Sequence, residues 1–315
     1  MRVAFFAKHH KRSGITTHME RALRSLGHDV LRVNRRKLER VIGKRMAWTL
    51  IRRRVRRFRP DVVLVFTFDL PAAKLQELRA FAKTATFFDD CPRELSQRIR
   101  DAVAASDAFF ITSRGQIAQY EEELGYTPAY VTGGCDPVDH FRVPPEPSLV
   151  SDVAFIGKPD ARGGRVDVVK ELSKHYDVQV YGPRWREVGL TPRLDDVYPP
   201  QYRQVCNSAK VVLGNDLRDD VELYFSNRTW ISLGCGAFLC TRYVPKLEEV
   251  LTEGEHCAFF RGTADAVEVV GRYLQDDEAR ARIAAAGHAY AHQEYSYARM
   301  LERMLAHPAL APASA

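Results

Sequence analysis

The sequence predicts an α/β protein built from two open parallel sheets, each covered by helices on both faces. Three observations predict it. Short apolar runs alternate with helical patterns along most of the chain. The alternation breaks once, at a proline-rich stretch near the middle. The chain has 315 residues, enough for about two domains of roughly 150 residues each.

The elements follow in order. Residues 3–7 read as a buried strand and 14–26 as an amphipathic helix. A strand at 30–33, a basic helix over 40–59 and a strand at 62–66 come next. The series runs on through helix 71–82, strand 86–88, helix 93–104, strand 108–112, helix 114–124 and strand 129–132. Strands buried on both faces read as continuous apolar runs, as these do. Residues 137–147 then hold Pro137, Pro144, Pro145 and Pro147 without periodicity, and read as a linker. A second series begins with strands at 153–156, 178–181, 211–213, 238–241 and 258–260. Helices at 165–175, 227–233 and 264–274 lie between them. Helices over 277–293 and 296–306 close the chain. The expected division is 1–147, 148–292 and a C-terminal helix and tail at 293–315.

Composition narrows the class. Hydrophobic residues make up 45%, which excludes a disordered chain. No apolar run approaches the roughly 20 residues that span a bilayer, and the N-terminus is not a signal peptide. The six cysteines form no CxxC pair, so a zinc site is disfavoured. The expected location is the cytoplasm, with peripheral contact to the inner face of the membrane.

Charge is unevenly placed. Residues 1–60 hold 19 Lys+Arg against three acids, a net of +16, while the remainder carries −9. Such asymmetry points to an acidic partner for the N-terminal part. In the densest stretch, Val41, Trp48, Ile51, Val55 and Phe58 recur at helical spacing among seven Lys and Arg. Three readings stand: the solvated face of a packed helix, a surface for anionic lipid head groups, and nucleic acid. No zinc finger or RNP-like motif supports the last.

In open α/β sheets, ligands bind beyond the carboxyl ends of the strands. After the first strand come His9, His10 and Gly14, without a GxGxxG or Walker A pattern. After the fourth come Asp89 and Asp90, placed to serve as a general base or to cap the helix from Arg93. Opening the second series is GKPDARGGR, residues 157–165, a glycine-rich loop with cations suited to a diphosphate. Tyr181 and Gly182 follow the next strand. The stretch 215–240 carries Ser226 or Asn227 as a helix cap, then Arg228 in the first turn. A cation there is disfavoured by the helix dipole, and an anionic ligand offsets that cost.

These segments, taken in order, resemble the CgeB-like (spore-maturation type) glycosyltransferases of the GT-B group. The resemblance rests on FIGKPDARGGR, VQVYGPRW, SNRTWISLGCGAFLCT, VLTEGEHCAFF, the RYLQDDEARARIAAAGHAY helix, the EYSYARML ending and GGCDPVDHF. It covers about residues 60–305 and is strongest from 152 to 300. It implies two Rossmann-like domains facing a cleft, with the C-terminal helix returning toward the N-terminal domain. The N-terminal domain would take the acceptor and the C-terminal domain a nucleotide-sugar donor.

The implied reaction moves a sugar from a nucleotide-diphosphate donor to an acceptor hydroxyl, with no cofactor and no metal. Lys158, Arg165 and Arg228 would face the diphosphate, with Gly14, Glu222, Ser226, Asn227 and Thr229 also in the donor set. Tyr181 and Gly182 would lie near the nucleoside. Asp90 is the expected base or orienter of the acceptor, with His9 in reserve. The acceptor class is a glycan, a lipid-linked molecule or a small molecule. An anionic membrane surface would be met through residues 40–59. Relatives often carry an acid three positions after the arginine, where this chain has Ile231; Glu222 lies nearby but out of register. Two other readings follow from that departure and from the fold: a binding protein that has lost catalysis, and a nucleotide-sugar epimerase.

Overall fold

The computed structural model describes residues 1–8, 14–160 and 164–311. The chain divides into two compact units: Met1–Thr132 with Tyr297–Ala315, and Gly133–Ser296. The proline-rich stretch at 137–147, expected to end the first domain, is grouped with the second unit.

The first unit is built on β1 (Arg2–Phe6), β2 (Asp29–Val33), β3 (Val62–Phe66), β4 (Lys83–Phe88), β5 (Ala108–Ile111) and β6 (Ala129–Tyr130). They form one parallel sheet in the order β2-β1-β3-β4-β5-β6. Alternate side chains go to opposite faces. Val3 and Phe5 join one apolar cluster, while Ala4 and Phe6 join the other. Helices α1 (Ile15–Ser25), α2 (Arg35–Ile42), α3 (Lys44–Phe58), α4 (Ala72–Arg79), α5 (Gln97–Ala104) and α6 (Ile117–Leu124) connect the strands.

Two expectations are corrected here. The basic segment is two helices rather than one, because Gly43 takes φ 76 between them. That left-handed backbone suits glycine and breaks the i→i−4 ladder. Val41 therefore does not share a face with Ile51 and Val55. It stands 76% exposed on α2, while Ala47, Ile51 and Val55 are the buried residues of α3. The helix expected from Arg93 starts at Gln97, with Ser96 before it, so neither Asp89 nor Asp90 caps it.

The second unit carries β7 (Ser151–Ile156), β8 (Val178–Tyr181), β9 (Ala209–Gly214), β10 (Leu239–Arg242) and β11 (Ala258–Phe260). Their order is β11-β10-β9-β7-β8, again all parallel. Helices α7 (Arg165–Leu172), α8 (Pro199–Ser208), α9 (Arg228–Gly234), α10 (Thr263–Leu274) and α11 (Asp277–Glu294) complete it. Helix α8 is an addition to the predicted elements. Its Pro199-Pro200 opening reads as turn in sequence, although proline is tolerated in the first helical turn. Phe155, Trp185, Phe238 and Phe260 anchor the core. The last helix, α12 (Tyr297–Leu305), belongs to the first unit. Its Tyr297, Met300, Leu301 and Met304 join Met19 and Leu23 of α1 in one cluster.

Candidate functional site

The carboxyl ends of β7 and β8 in the second unit meet through two glycines. Gly157 follows β7 at φ +155, and its amide donates to the Tyr181 carbonyl at 2.8 Å. Gly182 follows β8 at φ +119, where an added Cβ would lie 2.6 Å from the Gly157 carbonyl oxygen. Only residues without a Cβ let these backbones pass so closely. Trp185 Nε1 donates to the same carbonyl at 2.8 Å and fixes the turn from below.

Arg228, the first residue of α9, lies against Gly157. Its Nε donates to Ser226 Oγ (3.1 Å), Nη1 to the Ile156 carbonyl (3.3 Å) and Nη2 to Asp216 Oδ1 (3.2 Å). Arg165, the first residue of α7, is 4% exposed. Its Nε and Nη2 donate to the Asn215 carbonyl at 3.0 and 2.8 Å, and Nη1 donates to the Lys158 carbonyl at 2.7 Å. Both guanidiniums lie over the Phe155 ring, 5.3 and 5.7 Å from its centroid. Burial, followed by repulsion from Arg228, pushes the Arg165 pKa down to about 10, so it stays cationic at neutral pH. Asp216 and Asp160 face these guanidiniums, and with Lys158 exposed nearby the strand end gathers three cationic side chains suited to an anion.

Asn215 is 1% exposed, and neither atom of its side-chain amide has a hydrogen-bond partner. Together with Asp216, Ser226, Arg228, Thr229 and Ser232 it lines a void of about 10 Å³. A buried amide without partners is costly and marks a place where a polar group is expected to bind. Asn215 and Asp216 are the members of this site that the sequence reading did not assign. Their position directly after β9, at the end of a VVLGND run, was the available signal.

The expected residues distribute unevenly. Lys158 is exposed and Thr229 buried. Ser226 and Asn227 make no side-chain cap to α9. Ser226 instead takes the Arg228 hydrogen bond, and Asn227 Oδ1 accepts from the Gly134 amide at 2.6 Å. Arg165 is a buried brace, where the sequence suggested a cation open to a ligand. Tyr181 is wholly buried, so its ring presents no face to a base, and burial pushes its hydroxyl pKa up. Glu222 is partly buried in the turn before α9.

The first unit gathers carboxylates at the ends of β3 and β4. Asp69 Oδ2 accepts from the Lys8 amide at 2.7 Å, and Arg36 approaches to 3.7 Å. Thr67, at φ 51, donates its hydroxyl to Asp89 Oδ1 at 2.8 Å. Burial pushes the Asp89 carboxyl above its ordinary value; the Thr67 hydrogen bond opposes this, and the charges of Asp90 and Asp69 add to it. Asp90 is exposed and accepts from its neighbour's amide, Cys91, at 2.9 Å. Of the adjacent pair, the carboxylate with the perturbed environment is therefore Asp89. Gly14 precedes α1 at φ +143, and its carbonyl accepts from the Thr17 and His18 amides. His9 lies outside the described residues.

Residues 165–306 match the protein family described as "Glycosyl transferase-like". No curated protein matches the chain. Among solved structures, the chain is similar to the sucrose-phosphate synthase of Thermosynechococcus elongatus, with 12% identity and a TM-score of 0.67, covering 96% of this chain and 97% of that one. It is similar to Anabaena Alr3699/HepE in complex with UDP and glucose, at 12% identity and TM-score 0.67, covering 96% and 98%. A glycosyltransferase from Rickettsia africae aligns at 11% identity and TM-score 0.68, covering 96% of each chain. These likenesses show that the fold is GT-B. With the family match over residues 165–306, the enzyme class is that of a glycosyltransferase.

Proposed function

We propose that the protein transfers a sugar from a nucleotide-diphosphate donor to an acceptor hydroxyl, and that it does so without a metal ion. The observation that carries this reading is the pairing of Arg228 with the Gly157–Gly182 turn at the strand ends of the second unit. In this reading, a diphosphate accepts hydrogen bonds from Arg228 and from Lys158, whose side chain is exposed beside it. Their charge offsets the charge that develops on the leaving group as the sugar bond breaks. Asp216 holds Arg228 in place, and Asn215 offers its amide to the donor. Asp89 takes the acceptor proton, with Asp90 beside it.

The CgeB-like subtype fits the chain's own motifs and belongs to the same proposal. UDP is the first nucleotide to test, because the Anabaena relative binds it. The acceptor is a glycan, a lipid-linked molecule or a small molecule, and the basic segment at 40–59 suits one presented at an anionic membrane surface.

The test is thermal denaturation with UDP, GDP, TDP, CMP and ADP. A ligand at 100 times its dissociation constant stabilises by about 2.7 kcal/mol, or a few degrees in melting temperature. One nucleotide is expected to raise the midpoint, and Arg228→Ala to abolish the rise. A flat response to all five at millimolar concentration would sink the proposal.

A further inference from the structure

Helices α2 and α3 enclose a groove of about 430 Å³, lined by Val33, Leu38, Val41, Leu50 and Ile51, with Arg32, Lys37 and Arg54 at its margin. That volume is in the range of small-molecule sites, about 300–1,000 Å³. The groove is mostly apolar, yet the segment around it is the most basic part of the chain.

Among the described residues, nothing in the first unit covers this face. Helix α2 buries none of its eight residues, and on the first two turns of α3 only Ala47 is buried. Val41, Met46 and Leu50 stand 76%, 60% and 47% exposed. They are three of the eight exposed large hydrophobic residues among those described. Met46, Leu50 and Arg54 follow one another at four-residue spacing, so apolar and cationic groups share one stripe of α3. Lys37, Arg40, Arg53, Arg54 and Arg57 make no ion pair with any described residue. On the other side of α3, Arg52 pairs with Glu77 at 3.6 Å, and Arg56 lies over the Phe81 ring. Arg53, Arg54 and Arg57 thus place unpaired cations on the side of α3 that carries the groove.

We propose that this groove takes an acyl chain of an anionic phospholipid, with the phosphate held by Lys37 and Arg54, and so docks the protein on a membrane leaflet. Charge complementarity selects the partner. Stable docking needs two signals, an apolar insertion and a polybasic patch, and both occur here on the same two helices. A nucleic acid would use the cations but has no use for an apolar groove flanked by Val41, Met46 and Leu50. The groove also reaches the business end of the sheet. Val33 ends β2 and Asn34 follows it, and the next residues, Arg35 and Arg36, contact the carbonyl and carboxylate of Asp69.

This deepens the anionic-surface part of the proposed function. Its test reads vesicle binding, so it fails or stands apart from sugar transfer. The protein is floated with vesicles of phosphatidylcholine alone, or with roughly a third phosphatidylglycerol, a content that gives the surface its negative potential. Binding only to the anionic vesicles is expected. Arg53→Glu with Arg54→Glu should weaken it at least 25-fold, since each cation near such a surface contributes about a fivefold factor. Val41→Asp with Leu50→Asp, both at exposed positions, should weaken it roughly tenfold or more without shifting the melting temperature. In a Val41→Trp protein, lipids brominated on the acyl chain should quench the added fluorescence. Three results would overturn the proposal: equal binding to neutral vesicles, full anionic binding by the Val41/Leu50 double variant, or displacement of the protein from vesicles by equimolar duplex DNA or RNA.

Discussion

The Arg228 guanidinium occupies the space that a side chain at Gly157 would fill. A Cβ on Gly157 would lie 2.1 Å from Arg228 Nη1. The glycine is therefore a condition for where the arginine sits. Gly182 stands in a different relation to the same turn, because its Cβ would meet backbone, 2.6 Å from the Gly157 carbonyl oxygen. The two substitutions should separate. Gly157→Ala meets the far end of a flexible side chain, which can swing away, but the residue is held at φ +155, so backbone strain sets an expected stability loss of about 1–2 kcal/mol. Nucleotide binding should fall with it nearly as far as in Arg228→Ala. Gly182→Ala meets atoms that cannot give way at φ +119, and should lower stability by about 2–3 kcal/mol. Thermal melts with and without nucleotide distinguish the two patterns.

The two arginines of the site should also part company. Arg165 is braced on the Asn215 and Lys158 carbonyls deep in the unit. Removing it leaves buried acceptors unpaired, and Arg165→Ala is expected to cost about 2–4 kcal/mol of stability. Arg228 is more exposed and is directed at the proposed ligand. Arg228→Ala should leave the melting temperature within a few degrees of the parent while lowering kcat by about 10²–10³. The reverse ordering in paired melts and rate measurements would exchange their assigned roles.

The parts that sequence made legible are those set by periodicity and by strand ends. The eleven strands of the described residues lie where apolar runs were, because a strand buried on both faces leaves a largely apolar run. The glycine loop after β7 and the Asn227-Arg228 step before α9 were visible for the same reason: both sit at strand-to-helix turns. Direction was not legible. Whether Arg165 points outward or inward depends on the Asn215 carbonyl, fifty residues away, and no local pattern encodes that. Nor could adjacency decide between Asp89 and Asp90. What sets the two apart is Thr67, which reaches Asp89 from the end of another strand. Gly43 was present in the basic segment, but the spacing of Val41 with Trp48 and Ile51 masked the break it makes.

Chelation provides a clean check on how the leaving group is stabilised. If cationic side chains alone offset the diphosphate charge, transfer should continue unchanged in excess EDTA, and added Mg²⁺ or Mn²⁺ should alter the rate by less than about twofold. A requirement for divalent cation, reversible on re-addition, would contradict the metal-free part of the proposal and leave the nucleotide-sugar part standing.

Asp89 links stability to pH in a direction that can be worked out. Its folded carboxyl binds a proton more tightly than an unfolded one, chiefly because burial penalises the charge. Between the ordinary carboxylate value and the raised one, the folded state therefore holds more protons than the unfolded state. Stability contributed by this group is present at acid pH and is lost as pH rises through the raised value. Asp89→Asn removes the charge and keeps an acceptor for the Thr67 hydroxyl, so it should melt higher than the parent at neutral pH, with the gain shrinking toward acid. The same variant should lose most of its transfer activity, since a general base contributes about 10²–10⁴ in rate. Asp90→Asn, at an exposed position, is the matched control for the loss of activity. Activity that survives in Asp89→Asn and vanishes in Asp90→Asn would return the base to Asp90 and leave Asp89 as a buried carboxylate of the strand-end cluster.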